Sequence, residues 1–329
     1  MKVVIPMAGY GTRLRPHTYS RPKPLVNIAG QPVLKHVLDS LDGLEVDEYI
    51  FIVGYLGDQI KEYIKENYPD TKAHFVVQEE MKGQSHAIYL AKDYLTGPAV
   101  ILFSDTLFDA DIQAIVNSDA DGVIYVKEVD DPRSFGVVSL DDAGNITKLI
   151  EKPDNFANKK AVVGMYYLRE SERLMAAIKQ QIDNDQIKNG EYFIADALQN
   201  MINDGAKIRS EEVSVWLDAG KPDEVLKTHR YLLETGFDNS AEIDANGNVI
   251  IAPVYIHPSA KLNHSIIGPY TTISANCDIH HSIIRDSIIN EGAVVSDTTL
   301  EESLIGEEAT IKGRYHTLNV GDKSTLDFS

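Results

Sequence analysis

Lys2-Val-Val-Ile-Pro-Met-Ala-Gly9-Tyr-Gly11-Thr12-Arg13-Leu14-Arg15-Pro16 follows the first methionine of this 329-residue chain, with Arg21-Pro-Lys23-Pro-Leu25 close behind. A short apolar run feeding a glycine-rich turn predicts a strand that ends in a tight bend. The cations just beyond it suit a polyanionic ligand. Backbone N–H groups close on phosphate oxygens at such a turn, and fixed positive charges offset those of the ligand. The first 38 residues hold six basic side chains and no acidic one, in a chain of formal net charge −19. The remainder therefore carries −25, and the basic character is confined to one end.

The turn matches neither of the two common phosphate loops. A Walker loop needs Lys-Ser/Thr after its second glycine, where Arg13-Leu14 would have to serve, and a dinucleotide fingerprint needs glycine where Leu14 stands. A kinase-type NTPase and a nicotinamide enzyme both lose their main support.

Outward from this stretch, up to about residue 235, short apolar runs alternate with amphipathic helical patterns. The strands are expected at Lys2–Met7, Tyr49–Val53, His74–Gln78, Ala99–Phe103 and Gly122–Lys127. Between them Leu56, Ile60, Tyr63 and Ile64 recur at helical spacing, as do Ala87, Leu90, Ala91 and Tyr94. The alternation predicts an α/β fold: a Rossmann-like, mostly parallel sheet with helices on both faces. Ligands bind beyond the carboxyl ends of such strands. The Gly9–Arg15 turn and Ser104-Asp105 both fall at such ends.

After about Gly236 the helical period disappears. Ile267, Ile273 and Ile279 are six apart, as are Ile289 and Val295, and Ile305 and Ile311, with small or polar residues between. A six-residue period is the mark of a parallel β-helix in which each apolar residue stacks on the coil below. Two domains are expected, residues 1–236 and 237–329.

Composition bounds the rest. Charged residues are 25% and hydrophobic ones 43%, ordinary for a water-soluble globular chain. The acidic total argues against a general nucleic-acid or membrane-surface binder. Cys277 is the single cysteine, which excludes an intrachain disulfide and any cysteine-based zinc cluster. No apolar run approaches the roughly 20 residues of a membrane span. The sequence enters Val3-Val4-Ile5 without a signal-peptide layout, so a cytoplasmic location is expected.

The motif Gly9-x-Gly11-Thr12-Arg13-Leu14-x-Pro16-x-Thr18 with Pro22-Lys23-Pro24-Leu25 resembles the signature of sugar-1-phosphate nucleotidylyltransferases. The resemblance runs in order through the first 235 residues. Gln78 and Gly83 resemble the base-reading pair of glucose-1-phosphate thymidylyltransferases, and Ser104-Asp105 falls at the family's Gly-Asp. Phe135-Gly136-Val137-Val138 and Glu151-Lys152-Pro153 match its Tyr/Phe-Gly-Val and Glu-Lys-Pro segments. Ala161-Val-Val-Gly164-Met-Tyr166 is similar to the sugar loop, and Trp216-x-Asp218-x-Gly220 to the late metal motif. A hexapeptide tail, implied to be a left-handed parallel β-helix, is a known appendage of the family. Ser104 and Gln84-Ser85-His86-Ala87 depart from its pattern, which bears on the nucleotide and sugar rather than on the reaction.

The resemblance implies joining of a nucleoside triphosphate to a sugar 1-phosphate with release of pyrophosphate. Ala8, Gly9, Gly11, Thr12, Gln78 and Gly83 would bind the nucleotide; Gly136, Glu151, Lys152 and Gly164 would bind the sugar phosphate. Arg13, Lys23, Asp105, Lys152 and Asp218 would carry the chemistry, with Asp105 and Asp218 holding Mg2+. These roles make chemical sense, since phosphoryl-type transfer needs mainly positioning and charge neutralisation. Magnesium takes a few carboxylates and keeps several waters. A sugar phosphate, with its second pKa near 6, is already a nucleophile at neutral pH. No general base is needed, and none of the usual Ser-His-Asp or Cys-His spacings occurs. Gln78 offers one acceptor and two donors to the imide edge of thymine or uracil.

Glucose 1-phosphate with dTTP is the leading pair, UTP the next, and mannose 1-phosphate with GTP the alternative within the class. A non-catalytic nucleotide-sugar-binding regulatory subunit is the alternative from another class; the retained Arg13, Lys23, Asp105, Lys152 and Asp218 favour the enzyme. Acyl transfer by the tail, with His280-His281 as base, has no acyl-donor site to support it. Trp216, the single tryptophan, is expected to pack beside Asp218 rather than stack on a ligand. A homo-oligomer without nucleic-acid or membrane partners is expected.

Overall fold

The protein is described here by a computed structural model covering residues 1–110, 112, 115, 118–313 and 320. Strand Lys2–Pro6 lies inside a mixed sheet, parallel to Glu48–Val53 on one side and Ala99–Leu102 on the other. Ala73–Val77 continues the parallel run beyond Glu48–Val53. The five strands expected from the sequence are all present, each displaced at an end by one residue or so.

Strand alternation puts Val4 on one face and its neighbours Val3 and Ile5 on the other, and all three are wholly buried. Val4, Ile50, Ile52 and Ile101 share a core with Ile88, Ile178 and Leu198 from helices Gln84–Leu90, Ser171–Asp183 and Ile194–Asn203. Helix Gly57–Asn67 buries Ile60 and Ile64, the positions picked out by its period. A strand that is apolar on both faces needs cover on both, which explains why the central runs read as continuous Val and Ile.

The direction of pairing changes at Lys160–Leu168. This strand is antiparallel to Ala99–Leu102 and also to Gly122–Glu128, which in turn pairs parallel with Ile208–Glu212. Hairpin Gly136–Leu140/Ile146–Glu151 joins the same sheet through Val137, which faces Ala161. A separate two-stranded ribbon sets Val215–Asp218 against Thr106–Asp109, with Asp218 opposite Thr106. No helix among the described residues is long and apolar enough to cross a membrane.

Contacts divide the chain into two compact units. One is Met1–Asn27 with Gln31–Thr228; the other is Ile28–Gly30 with the described residues from His229 onward. In the second unit three parallel ladders of four short strands form the parallel β-helix that the isoleucine period predicts, left-handed as the resemblance implies. Ile267, Ile273 and Ile279 are the three interior residues of one coil; Ile284, Ile289 and Val295 lie beneath them, all with no exposed surface. Ile284 and Leu300 escape a strict spacing of six because those coils turn one residue sooner. Left-handed residues such as His264, Asn276, His281, Asp297 and Glu308 interrupt the strands between ladders. Cys277 is buried in this core.

Candidate functional site

The first strand ends at Pro6, and the chain turns through Gly9 and Gly11 into the short helix Thr12–Leu14. Gly11 sits at φ 61, a left-handed conformation, and a Cβ there would lie 3.2 Å from that of Lys23. The buried Thr18 hydroxyl donates to the Gly11 carbonyl at 2.8 Å, fixing the bend. The turn and the Lys23 segment are thereby held together.

These residues form one wall of a cleft of 410 Å³ whose lining includes Ala8, Gly9, Gly11, Thr12, Arg13, Lys23, Gln78, Gly83 and Asp105. Nine sequence-selected residues share one concave surface at the carboxyl ends of the central strands, as the topology requires.

Asp105 and Asp218, far apart in sequence, meet beside this wall. Ala219 N–H donates to the Asp105 carbonyl at 3.0 Å, and the ribbon register sets Asp218 against Thr106. Thr228 anchors the Asp218 carbonyl at 2.9 Å. Lys23 Nζ donates to Asp105 Oδ2, and the Gly220 amide donates to Asp218 Oδ1. A Cβ on Gly220 would stand 2.5 Å from Asp218 Oδ1, 3.1 Å from Arg13 Nη2 and 3.3 Å from Lys23 Nζ. One carboxylate and two cations therefore surround this glycine, and Lys23 ties the second carboxylate, Asp105, to them.

The two carboxyls titrate in opposite directions. Burial alone would raise Asp105, but the Lys23 ammonium and the Arg13 guanidinium hold it below its ordinary value. Burial raises Asp218, and the negative Asp105 beside it adds to the rise. A pair of crowded carboxylates, one resisting ionisation through burial and then through the charge of the other, is a hard oxygen donor set that a divalent cation would relieve. These residues fit a magnesium ion on chemistry and charge. Among the described residues no cluster of three or more acidic, His or Cys side chains has metal-holding geometry, so further ligands would come from substrate phosphate and water.

At the other end of the cleft, Gln78 is 5% exposed at the close of its strand. Its Nε2 lies 3.4 Å from the Gly83 carbonyl and 3.4 Å from His86 Nδ1. Gly83 has φ 97, and a Cβ there would sit 2.7 Å from the Tyr192 backbone, so a side chain is excluded twice over.

Of the residues implied for the sugar phosphate, Gly136 and Glu151 lie on the hairpin, Lys152 follows it directly, and Gly164 is on strand Lys160–Leu168. Gly136 faces Glu151 across it, with Glu151 Oε2 3.0 Å from where a Gly136 Cβ would be. Burial lifts the Glu151 carboxyl above its usual range, against the pull of Lys152 and Lys188. Lys152 adopts φ 45 directly before Pro153 and is exposed, its Nζ 4.9 Å from the Phe193 ring centre. Side chains in the left-handed region are costly and concentrate where function demands them. Gly164 lies against Phe103 and Thr106, and its carbonyl accepts from the Phe103 amide at 3.0 Å. Phe103 itself lines the cleft, whereas Gly136, Glu151, Lys152 and Gly164 do not.

Glu191 and Met81 also line the cleft and were not singled out by the sequence, and Gln84, from the segment that departs from the family pattern, lines it with them. Glu191 follows Lys188-Asn189-Gly190, and Asn189 and Gly190 take φ 53 and φ 80 as in a type I′ hairpin. An Asn-Gly pair is a sequence-level signal for that turn. Lys188 Nζ donates to the Glu151 carbonyl at 2.5 Å, so this turn spans from the cleft to the hairpin. Trp216 packs edge-on against Phe135 at 4.8 Å and is half-buried, in keeping with a packing role. His280 contacts Asp278 at 2.7 Å and the His281 ring stacks on His264, so both are engaged on the β-helix.

Residues 2–235 match the family model described as nucleotidyl transferase. The chain is 31% identical to the bifunctional protein GlmU of Methanocaldococcus jannaschii, with 97% of this chain and 81% of that one covered. It is 27% identical to a glucose-1-phosphate thymidylyltransferase of Streptomyces griseus, over 100% of each. Among solved structures, a UDP-glucose pyrophosphorylase complexed with UDP-glucose superposes with a TM-score of 0.62 at 19% identity, over 71% of this chain and 98% of that one. That last likeness bears on the fold alone.

Proposed function

The chain belongs to the nucleotidyl transferase family, and we propose that it joins a pyrimidine nucleoside triphosphate, UTP or dTTP, to glucose 1-phosphate and releases pyrophosphate. The observation that carries this reading is the meeting of Arg13, Lys23 and Asp218 around Gly220, with Asp105 paired to Lys23, beside a cleft that also takes in Gln78. Backbone amides of the Gly9–Thr12 turn and the charges of Arg13 and Lys23 bind the β and γ phosphates. Ala8 and Gly83 allow close approach of the nucleoside, and Gln78 reads its base. Glu151 and Gly136 orient the sugar hydroxyls, with Gly164 on the strand Lys160–Leu168 giving room beside them, while the left-handed backbone of Lys152 aims its ammonium at the sugar phosphate.

The attacking group is an oxygen of the sugar phosphate, which displaces pyrophosphate from the α phosphorus in line. At neutral pH that phosphate is largely dianionic, so no side chain need remove a proton. The protein's work is to hold two anions together against their repulsion, which accounts for the cations at both ends of the site. Asp105 and Asp218 would hold Mg2+, which supplies charge neutralisation at the α phosphate. Lys23, which pairs with Asp105, turns to the triphosphate when it binds.

The test is pyrophosphate release by the purified full-length chain, with Mg2+, across UTP, dTTP, GTP, CTP and ATP, each paired with glucose, N-acetylglucosamine and mannose 1-phosphates. Turnover strongest with UTP or dTTP and glucose 1-phosphate is expected. Silence across the panel, with ligand-induced thermal stabilisation retained, would turn the reading to a non-catalytic nucleotide-sugar binder. Light scattering on the same sample tests the expected homo-oligomer.

A further inference from the structure

We infer that His86 is a positioning residue that locks the Gln78 amide with its oxygen toward the ligand, making the site selective for bases that present a ring N–H. This rests on the proposed nucleotidyl-transfer reading and narrows its substrate class.

The argument begins at the Gly83 carbonyl, an acceptor 3.4 Å from one terminal atom of the Gln78 amide. Were the amide reversed, two oxygens would face each other, so this atom is the NH2 nitrogen. The same nitrogen faces His86 Nδ1 at 3.4 Å. Because NH2 can only donate, Nδ1 must present a lone pair, and His86 is the neutral tautomer with its proton on Nε2. Burial favours that neutral form. Both amide hydrogens are then consumed by the protein. Oε1 makes no hydrogen bond among the described residues, and Gln78 lines the cleft, so its oxygen is the polar atom left for a ligand.

A free glutamine can present either end to a base. One with both donors spent can only accept. It pairs with N3–H of uracil or thymine, or N1–H of guanine, and opposes the ring-nitrogen lone pairs of cytosine N3 and adenine N1. A buried acceptor facing another acceptor is the kind of mismatch that discriminates strongly. His86 sits on the first turn of helix Gln84–Leu90, whose N-terminal residue follows the left-handed Gly83. One loop therefore provides both acceptors that orient the reader.

The experiment compares wild type with His86→Leu, which removes the acceptor, and His86→Gln, which can restore one through its own amide oxygen. Steady-state kcat and KM are measured for UTP and CTP with a saturating sugar 1-phosphate. For His86→Leu the UTP-over-CTP ratio of kcat/KM should fall at least tenfold, through KM, with kcat for UTP within about twofold. His86→Gln should recover most of the ratio. Should leucine prevent folding, His86→Met supplies a similar volume with only a weak acceptor and should behave as leucine is expected to. An unchanged ratio in a folded His86→Leu or His86→Met protein overturns the inference while leaving nucleotidyl transfer standing. Equal losses in His86→Leu and His86→Gln also overturn it, since packing alone would then explain the effect. A wild type that turns over no triphosphate overturns the underlying reading and this inference with it.

Discussion

The backbone amide of Ala219 donates to the carbonyl of Asp105 at 3.0 Å. This bond joins two segments more than a hundred residues apart and delivers Asp218 beside Asp105. The crowding has an energetic consequence. Asp218 carries a raised pKa because burial and the Asp105 charge disfavour its ionised form. The folded protein therefore binds this proton more tightly than the unfolded chain does. Ionised Asp218 destabilises the fold above its folded pKa, and stability is regained as pH falls through that value.

Asp218→Asn should accordingly raise the melting temperature at neutral pH in metal-free buffer while lowering turnover by about 100-fold or more. Mg2+ with triphosphate should stabilise the wild type and give a smaller shift in the variant. Scanning calorimetry with and without Mg2+, paired with pyrophosphate-release rates, checks both halves. A variant less stable than wild type would mean that the two carboxylates do not repel one another as described.

Gly220 offers a sharper geometric test. Its φ is outside the left-handed region, so alanine is conformationally acceptable there, yet the added carbon would press on Asp218 Oδ1, Arg13 and Lys23 together. Gly220→Ala should keep a melting temperature within a few degrees of wild type and lose activity by about tenfold to 100-fold, because small displacements of positioned charges are costly in rate. Retention of full activity would show that those three side chains are not held where the chemistry needs them.

Much of this architecture was legible in the residues. The apolar runs around Val4, Ile50 and Ile101 marked the parallel strands, since burial on both faces leaves no room for polar alternation. The glycine turn could be read because Gly11 must adopt φ 61 and its neighbours are cationic. What escaped the sequence depended on tertiary approach. Glu191 reaches the cleft only because the Asn189-Gly190 turn carries it there, and a lone glutamate has no local signature. Ile284 was hidden by a coil that turns after five residues rather than six. His86 gains meaning only from its distance to Gln78.

The β-helix permits a paired test of interior against exterior. Ile283 and Ile284 are adjacent, but Ile283 is 43% exposed and Ile284 fully buried in the stack with Ile267. Ile284→Ala should cost about 2–4 kcal/mol, through lost transfer energy and the cavity left between coils. Ile283→Ala should change stability by less than about 0.5 kcal/mol. Urea unfolding of the full chain, followed by circular dichroism, reads both. Equal effects would contradict the assignment of Ile284 to the interior.

On the proposed reading, Glu151 serves one substrate and not the other. It lies with Gly136 on the hairpin outside the cleft that holds Gln78, so its loss should be felt by the sugar phosphate and not by the nucleotide. Burial raises its carboxyl, and Lys152 and Lys188 oppose that rise. Glu151→Gln removes the charge while keeping the shape, so it abolishes the favourable field on Lys152 and the acceptor pair for hydroxyl groups. The KM for the sugar 1-phosphate should rise by about tenfold or more, with the KM for the triphosphate unchanged within about twofold, since one charge-assisted hydrogen bond is worth roughly 1.5–3 kcal/mol. Steady-state kinetics with each substrate varied in turn distinguishes the two. A rise confined to the triphosphate KM would move Glu151 to the nucleotide side and undo the division of the site into a phosphate-and-base cleft and a sugar-binding hairpin.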